Sequence, residues 1–102
     1  MGMNLSLIKV GDDKDIHNAE IFENFDSSRY AEDIKFMEFE FKDGVDIIRC
    51  DIKFCCGLSA FRPKNIDKAR CEILRSFAGY DRYLNILKEM ELDSHIYAIC
   101  SY

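Results

Sequence analysis

Asp43-Gly44, set between two runs of alternating apolar and charged residues, is the most constraining feature of this chain. Asp-Gly favours a two-residue type I′ turn, because both central positions need positive φ and Gly adopts it without strain. Pairing Lys42 with Val45 across that turn sets Phe39 opposite Ile48, Met37 opposite Cys50 and Glu38 opposite Arg49. The same register gathers Met37, Phe39, Phe41, Ile48, Cys50, Ile52, Phe54 and Cys56 on one face. Glu38, Glu40, Arg49, Asp51 and Lys53 share the other. A one-residue slip would invert the apolar face. The reading is a hairpin over residues 34–56 with one wet face.

The rest of the chain is placed around this hairpin. Leu5 to Val10 is a short apolar run stopped by Gly11-Asp12-Asp13, and it reads as a first strand. After Asp13, a candidate N-cap, Ile16, Ala19, Phe22 and Phe25 recur every third residue, which predicts a helix between Asp12 and Asp33. Asp26-Ser27-Ser28 reads as a turn, and Gly57 to Pro63 as a loop. Ile66, Ala69, Ile73, Phe77, Tyr80, Leu84 and Leu87 form a stripe at helical spacing. Gly79 followed by Asp81 suits a C-cap and a new N-cap, so the stripe is expected to divide into two helices. His95 to Tyr102 alternates as a last strand. The expected fold class is α+β: an antiparallel sheet of about four strands, with hairpin 34–56 at its centre. One or two helices over about 64–90 would pack on one face. A chain of 102 residues is long enough for one core, so residues 1–102 are read as a single domain.

Candidate chemistry is thin. The five cysteines are odd in number and without disulfide-framework spacing, which suggests a reducing, cytoplasmic setting with thiols used as small buried hydrophobes. Cys50, Cys55, Cys56, Cys71 and Cys100 contain no Cys-x-x-Cys knuckle. Adjacent Cys55 and Cys56 would point to opposite strand faces, so no metal site is expected. The acidic run after Gly11 fails the spacing of a calcium loop. No Gly is followed by Lys-Ser or Lys-Thr as a phosphate loop requires, and no cofactor is expected. Met1-Gly2 with Ser6 matches a minimal myristoylation pattern, but no basic cluster supplies a second anchor. No apolar run is long enough to span a membrane.

Charge distribution says more. Between Asp12 and Asp46, twelve acids face four bases, a balance of −8, while the remainder carries +3 within a total of −5. An acidic segment repels nucleic acid and accelerates encounter with a basic surface. The function expected on this basis is a non-enzymatic protein-binding inhibitor, of the toxin-immunity or phage anti-defence type, that covers a basic surface of its partner. A nuclease or other nucleic-acid-binding protein is the natural partner, with no direct nucleic-acid or membrane contact. Asp12, Asp13, Asp15, Glu20, Glu23 and Asp26 are the candidate contact residues, with Tyr30 as an aromatic anchor. The alternative is a small thiol- or metal-dependent enzyme using Cys55, next to Lys53, with His95.

Overall fold

The computed structural model describes residues 4–16, 19–25, 30–49, 59–77 and 81–101. Along the chain run β1 (Asn4–Lys9), β2 (Glu20–Asn24), α1 (Tyr30–Met37), β3 (Val45–Arg49), β4 (Ser59–Pro63), α2 (Ile66–Ser76), α3 (Asp81–Leu92) and β5 (Ile96–Ser101). The strands form one antiparallel sheet in the order β2-β1-β5-β4-β3. This is the expected α+β class, with five strands. No helix among the described residues is long and apolar enough to cross a membrane.

The two faces of the sheet follow from strand alternation. Leu5 and Leu7 of β1, Phe61 of β4 and Ala98 of β5 face the helices, meeting Phe36 from α1, Ile73 from α2 and Tyr83, Ile86, Leu87 and Met90 from α3. On the reverse face Ile8, Val10, Ala60, Tyr97 and Ile99 form a second buried cluster. The β1–β2 connection lies against it through Ile16 and Ala19. The sheet therefore has apolar packing on both sides.

Strands β1 and β5 and helices α2 and α3 lie where the sequence places them. Asn65 caps α2, its side chain accepting the Lys68 N–H at 3.1 Å, and Asp67 and Arg75 complement the helix dipole at either end. The stripe does divide into two helices, Ile66–Ser76 and Asp81–Leu92.

The expected hairpin is overturned. Tyr30–Met37 is helical, with Glu32 and Asp33 in its first turn and Lys35 in its last, a charge order that suits the dipole. Residues 38–44 form an irregular connection through which Phe39 and Phe41 reach the helix-side core. Alternation over so few residues does not separate a strand from a loop that dips into a core. The true hairpin pairs β3 with β4, from Val45↔Pro63 to Arg49↔Ser59, and lies at the sheet edge rather than its centre. The core-face assignments of Cys50, Ile52, Phe54 and Cys56 fall outside the described residues.

Two further readings are corrected. Residues 59–63, read as part of a loop, are β4. Lys64 N–H donates to the Gly44 carbonyl at 3.0 Å, so hydrogen-bonded pairs alternate outward from Gly44 and Lys64. Val45↔Pro63 is then a non-hydrogen-bonded pair, and the N–H that proline lacks is not missed by the ladder. Residues 20–24, read as helix, are β2. Asp13 does accept a backbone N–H, but from Asp15 at 3.2 Å, closing a turn rather than capping a helix. Ile21 and Phe22 then follow their β preference along the open side of β1.

Asp43-Gly44 keeps its turn in a different form. The Gly44 N–H donates to the Phe41 carbonyl at 2.9 Å, and Gly44 has φ +87° at the last position of the turn. A Cβ there would sit 3.7 Å from the Lys64 side chain, an ordinary contact, so the penalty for replacement is conformational. Gly44→Ala is expected to destabilise the fold by about 1 kcal/mol, with Gly44→Asn costing less. Urea denaturation measures both, and equal midpoints for Ala and wild type would refute the positive φ.

Candidate functional site

Where β1 ends and β5 begins, the chain builds a polar cleft of about 300 Å³ from elements far apart in sequence. Its walls include Asp12 and Lys14 of the β1–β2 turn, Asp46 of β3, Arg62 of β4, and His95 and Tyr97 at the start of β5. The Val10 N–H donates to the His95 carbonyl at 3.0 Å and joins the two strand ends. Arg62 donates from one guanidinium nitrogen to the carbonyls of Asp93 (3.0 Å) and Ile96 (3.1 Å), tying β4 to the α3–β5 turn. Desolvation in this position draws the guanidinium below its ordinary pKa, partly offset by Asp93 and Asp46.

Two hydrogen-bonded groups occupy the cleft. In the first, Asp93 receives the His95 backbone N–H (2.9 Å), its imidazole Nδ1 (3.2 Å) and Lys9 Nζ (3.0 Å). The His95 N–H, then Lys9, pull the Asp93 carboxyl down to about 2. His95 Nε2 lies 2.8 Å from Asp12, so the ring sits between two carboxylates, which raise its pKa and favour the imidazolium. In the second, the Tyr97 hydroxyl donates to Asp46 Oδ2 at 2.5 Å, and Lys14 Nζ approaches the same oxygen at 3.3 Å. The Tyr97 bond, ahead of Lys14, lowers the Asp46 pKa, while burial and Asp46 raise that of Tyr97. Lys14 is raised in turn by Asp46. Its backbone takes φ 53°, unusual outside glycine, and the Lys14 N–H donates to the Gly11 carbonyl at 3.0 Å. The β1–β2 turn is thus pinned from both sides of the cleft, to β5 through Asp12–His95 and to β3 through Lys14–Asp46.

General acid–base chemistry needs a lone pair or proton directed at a substrate. His95 directs both ring nitrogens at carboxylates of its own chain, and Asp46 already accepts from Tyr97 and Lys14. The groups are mutually satisfied and suited to holding a turn in one shape. Cys55, the nucleophile of the thiol reading, falls outside the described residues. Cys71 is exposed, contrary to the reading of the cysteines as buried hydrophobes.

The structure divides the sequence-selected acids. Asp12 and Asp13 are exposed on the turn, with Asp15 half-buried beside them. Glu20 and Glu23 are exposed on β2, the edge strand that the turn feeds. Asp26 and the Tyr30 side chain lie outside the description, although Tyr30 opens α1. The acidic stretch is not one lobe: Glu38, Glu40 and Asp43 lie towards β3, at the opposite sheet edge, and Asp33 is fully buried. Charge counting included Asp46 without singling it out, and gave no role to Arg62, Asp93 or Tyr97. Asp93, two residues before His95, carried the one local signal, an Asp able to take the N–H two positions on. Compared with family models, with characterised proteins and with solved structures, the chain finds no match.

Proposed function

We propose that this chain is a non-enzymatic, cytoplasmic protein-binding inhibitor that meets a basic surface of its partner with the β1–β2 turn and the edge strand β2. The toxin-immunity or phage anti-defence type is the form this takes, with a nuclease or other nucleic-acid-binding protein as the target. The observation that carries it is the exposure of Asp12 and Asp13 on the turn after β1 and of Glu20 and Glu23 on the open edge strand β2. Ile21, 63% exposed, lies on the Ile8 face of β2, opposite the face of Glu20 and Glu23, and offers an apolar contact at the same strand edge. Pinning of the turn by His95 and Asp46 supports the reading further. A surface already held in one shape loses little entropy when it docks, and fixed charges steer encounter.

The experiment is association kinetics with the product of the neighbouring gene, at low and high salt. Glu20→Lys combined with Glu23→Lys is expected to slow association about 10- to 100-fold at low salt and to leave the melting temperature nearly unchanged. An on-rate indifferent to both salt and these charges would remove the basis of the proposal.

A further inference from the structure

We infer that the free edge of β3 is a second docking surface, one that takes an extended basic and aliphatic segment of a partner protein as an added strand. The backbone register comes first. Because Gly44 and Lys64 form a hydrogen-bonded pair, Asp46 and Ile48 direct their peptide groups towards β4. The N–H and C=O groups of Val45, Ile47 and Arg49 then point away from it, and β3 ends the strand order of the described residues. Three residues thus offer a donor and an acceptor each in the spacing of a sheet ladder.

The side chains beside that edge define what would pair with it. Val45 and Ile47 sit on the helix-facing side of the sheet, paired with Pro63 and Phe61. Next to them a groove of about 330 Å³ is lined by Met37, Phe39, Val45 and Ile47, with Glu38 and Glu40 also in its wall. Ile47 is 45% exposed, a large aliphatic residue left open on an edge strand. Glu38 and Glu40 are exposed and have no ion-pair partner among the described residues. An added strand would place residues opposite Val45 and Ile47 with their side chains on the groove side, since directly paired residues share a face. Aliphatic residues at those alternate positions fill the groove, and a Lys or Arg on the Val45 flank of the same face meets the two glutamates. Charge complementarity selects a basic segment over an acidic one. This surface lies at the opposite sheet edge from β2, so it stands or falls independently of the acidic-turn proposal.

The test uses the full chain, isotope-labelled for NMR, and the peptide acetyl-Lys-Thr-Val-Thr-Val-Thr-Lys-amide, which presents Lys-Val-Val-Lys on one face. Expected are shift changes at the amides of Phe39, Val45, Ile47 and Arg49, and slowed hydrogen exchange at Val45 and Ile47. Ile47→Lys is expected to weaken binding about tenfold or more, the affinity equivalent of one aliphatic side chain left unburied. Glu38→Gln with Glu40→Gln, which leaves the apolar groove intact, is expected to weaken it about threefold. The same peptide with Glu for Lys should bind more weakly still. Equal binding of the two peptides, no binding at all, or shifts confined to Asp12–Glu23 would each overturn the inference. So would a stable dimer dissolved by Ile47→Lys, which would assign the edge to a second copy of the chain.

Discussion

Asp33→Ala is expected to destabilise the protein by about 3–5 kcal/mol, enough to unfold a marginal domain. Asp33 is fully buried at the first turn of α1. One carboxylate oxygen accepts from Arg82 Nη2 at 2.9 Å and the other accepts the Tyr83 hydroxyl at 2.8 Å. Burial and the Asp33 carboxylate raise the Tyr83 pKa, so the phenol stays a donor. Arg82, 13% exposed, also stacks over the Phe25 ring with its guanidinium carbon 5.0 Å from the centroid. Alanine at position 33 would take the Asp33 carboxylate away from a nearly buried cation and the acceptor away from a buried hydroxyl. Both losses carry desolvation penalties that water cannot relieve at that depth. Asp33→Ala combined with Arg82→Met should recover more than half of the loss, because the charge left behind is then gone too. Urea unfolding of the two variants measures this, and a loss below about 1 kcal/mol for the single variant would mean the pair is not buried.

Asp33 also illustrates which parts of the molecule local sequence could reveal. In a count of charges it was one acid among twelve between Asp12 and Asp46. Its burial depends on Arg82 and Tyr83, 49 and 50 residues away, and no periodicity reports such a pairing. Tyr97 and Asp46, 51 residues apart, are alike in this respect. By contrast β1, α2, α3 and β5 were legible because period-two or helical spacing ran long enough to exclude the other state. The exposed acids Asp12, Asp13, Glu20 and Glu23 were legible from charge alone. The failures cluster where short segments carry mixed signals. Ile16, Ala19, Phe22 and Phe25 recur at helical spacing, yet this stretch folds as a turn and an edge strand because β1 has a side to be paired. Pro63 looked like a loop marker only because its place in a non-hydrogen-bonded pair depends on the register with β3.

The helix at residues 30–37 is where the two architectures differ most, and Phe36→Ala separates them. In the hairpin register Phe36 would share the wet face with Glu38 and Glu40, and its loss would cost little. In the structure Phe36 is fully buried, three residues beyond Asp33 on the same face of α1. Its ring stacks on Tyr83 with centroids 4.5 Å apart and planes inclined by 22°. It meets Phe61 edge-on at 5.4 Å, and Phe41 and Phe77 at 6.4 Å each. Removing the ring takes contacts away from β4, from the α1–β3 connection, from the C-cap of α2 and from α3 at once. The expected loss is about 3–5 kcal/mol, the range for large-to-small changes at aromatic core positions, with edge-on and stacked pairs contributing beyond simple area. In urea that corresponds to a fall in midpoint on the order of 2 M. Phe36→Leu keeps most of the volume and should lose less than half as much. Because Phe36 and Asp33 share Tyr83 as a neighbour, their losses should not add, and a double-mutant cycle should show coupling. A Phe36→Ala protein as stable as wild type would restore the strand reading of this segment. Phe39 and Phe41 would then need another route into the core, and the groove beside β3 would lose its wall.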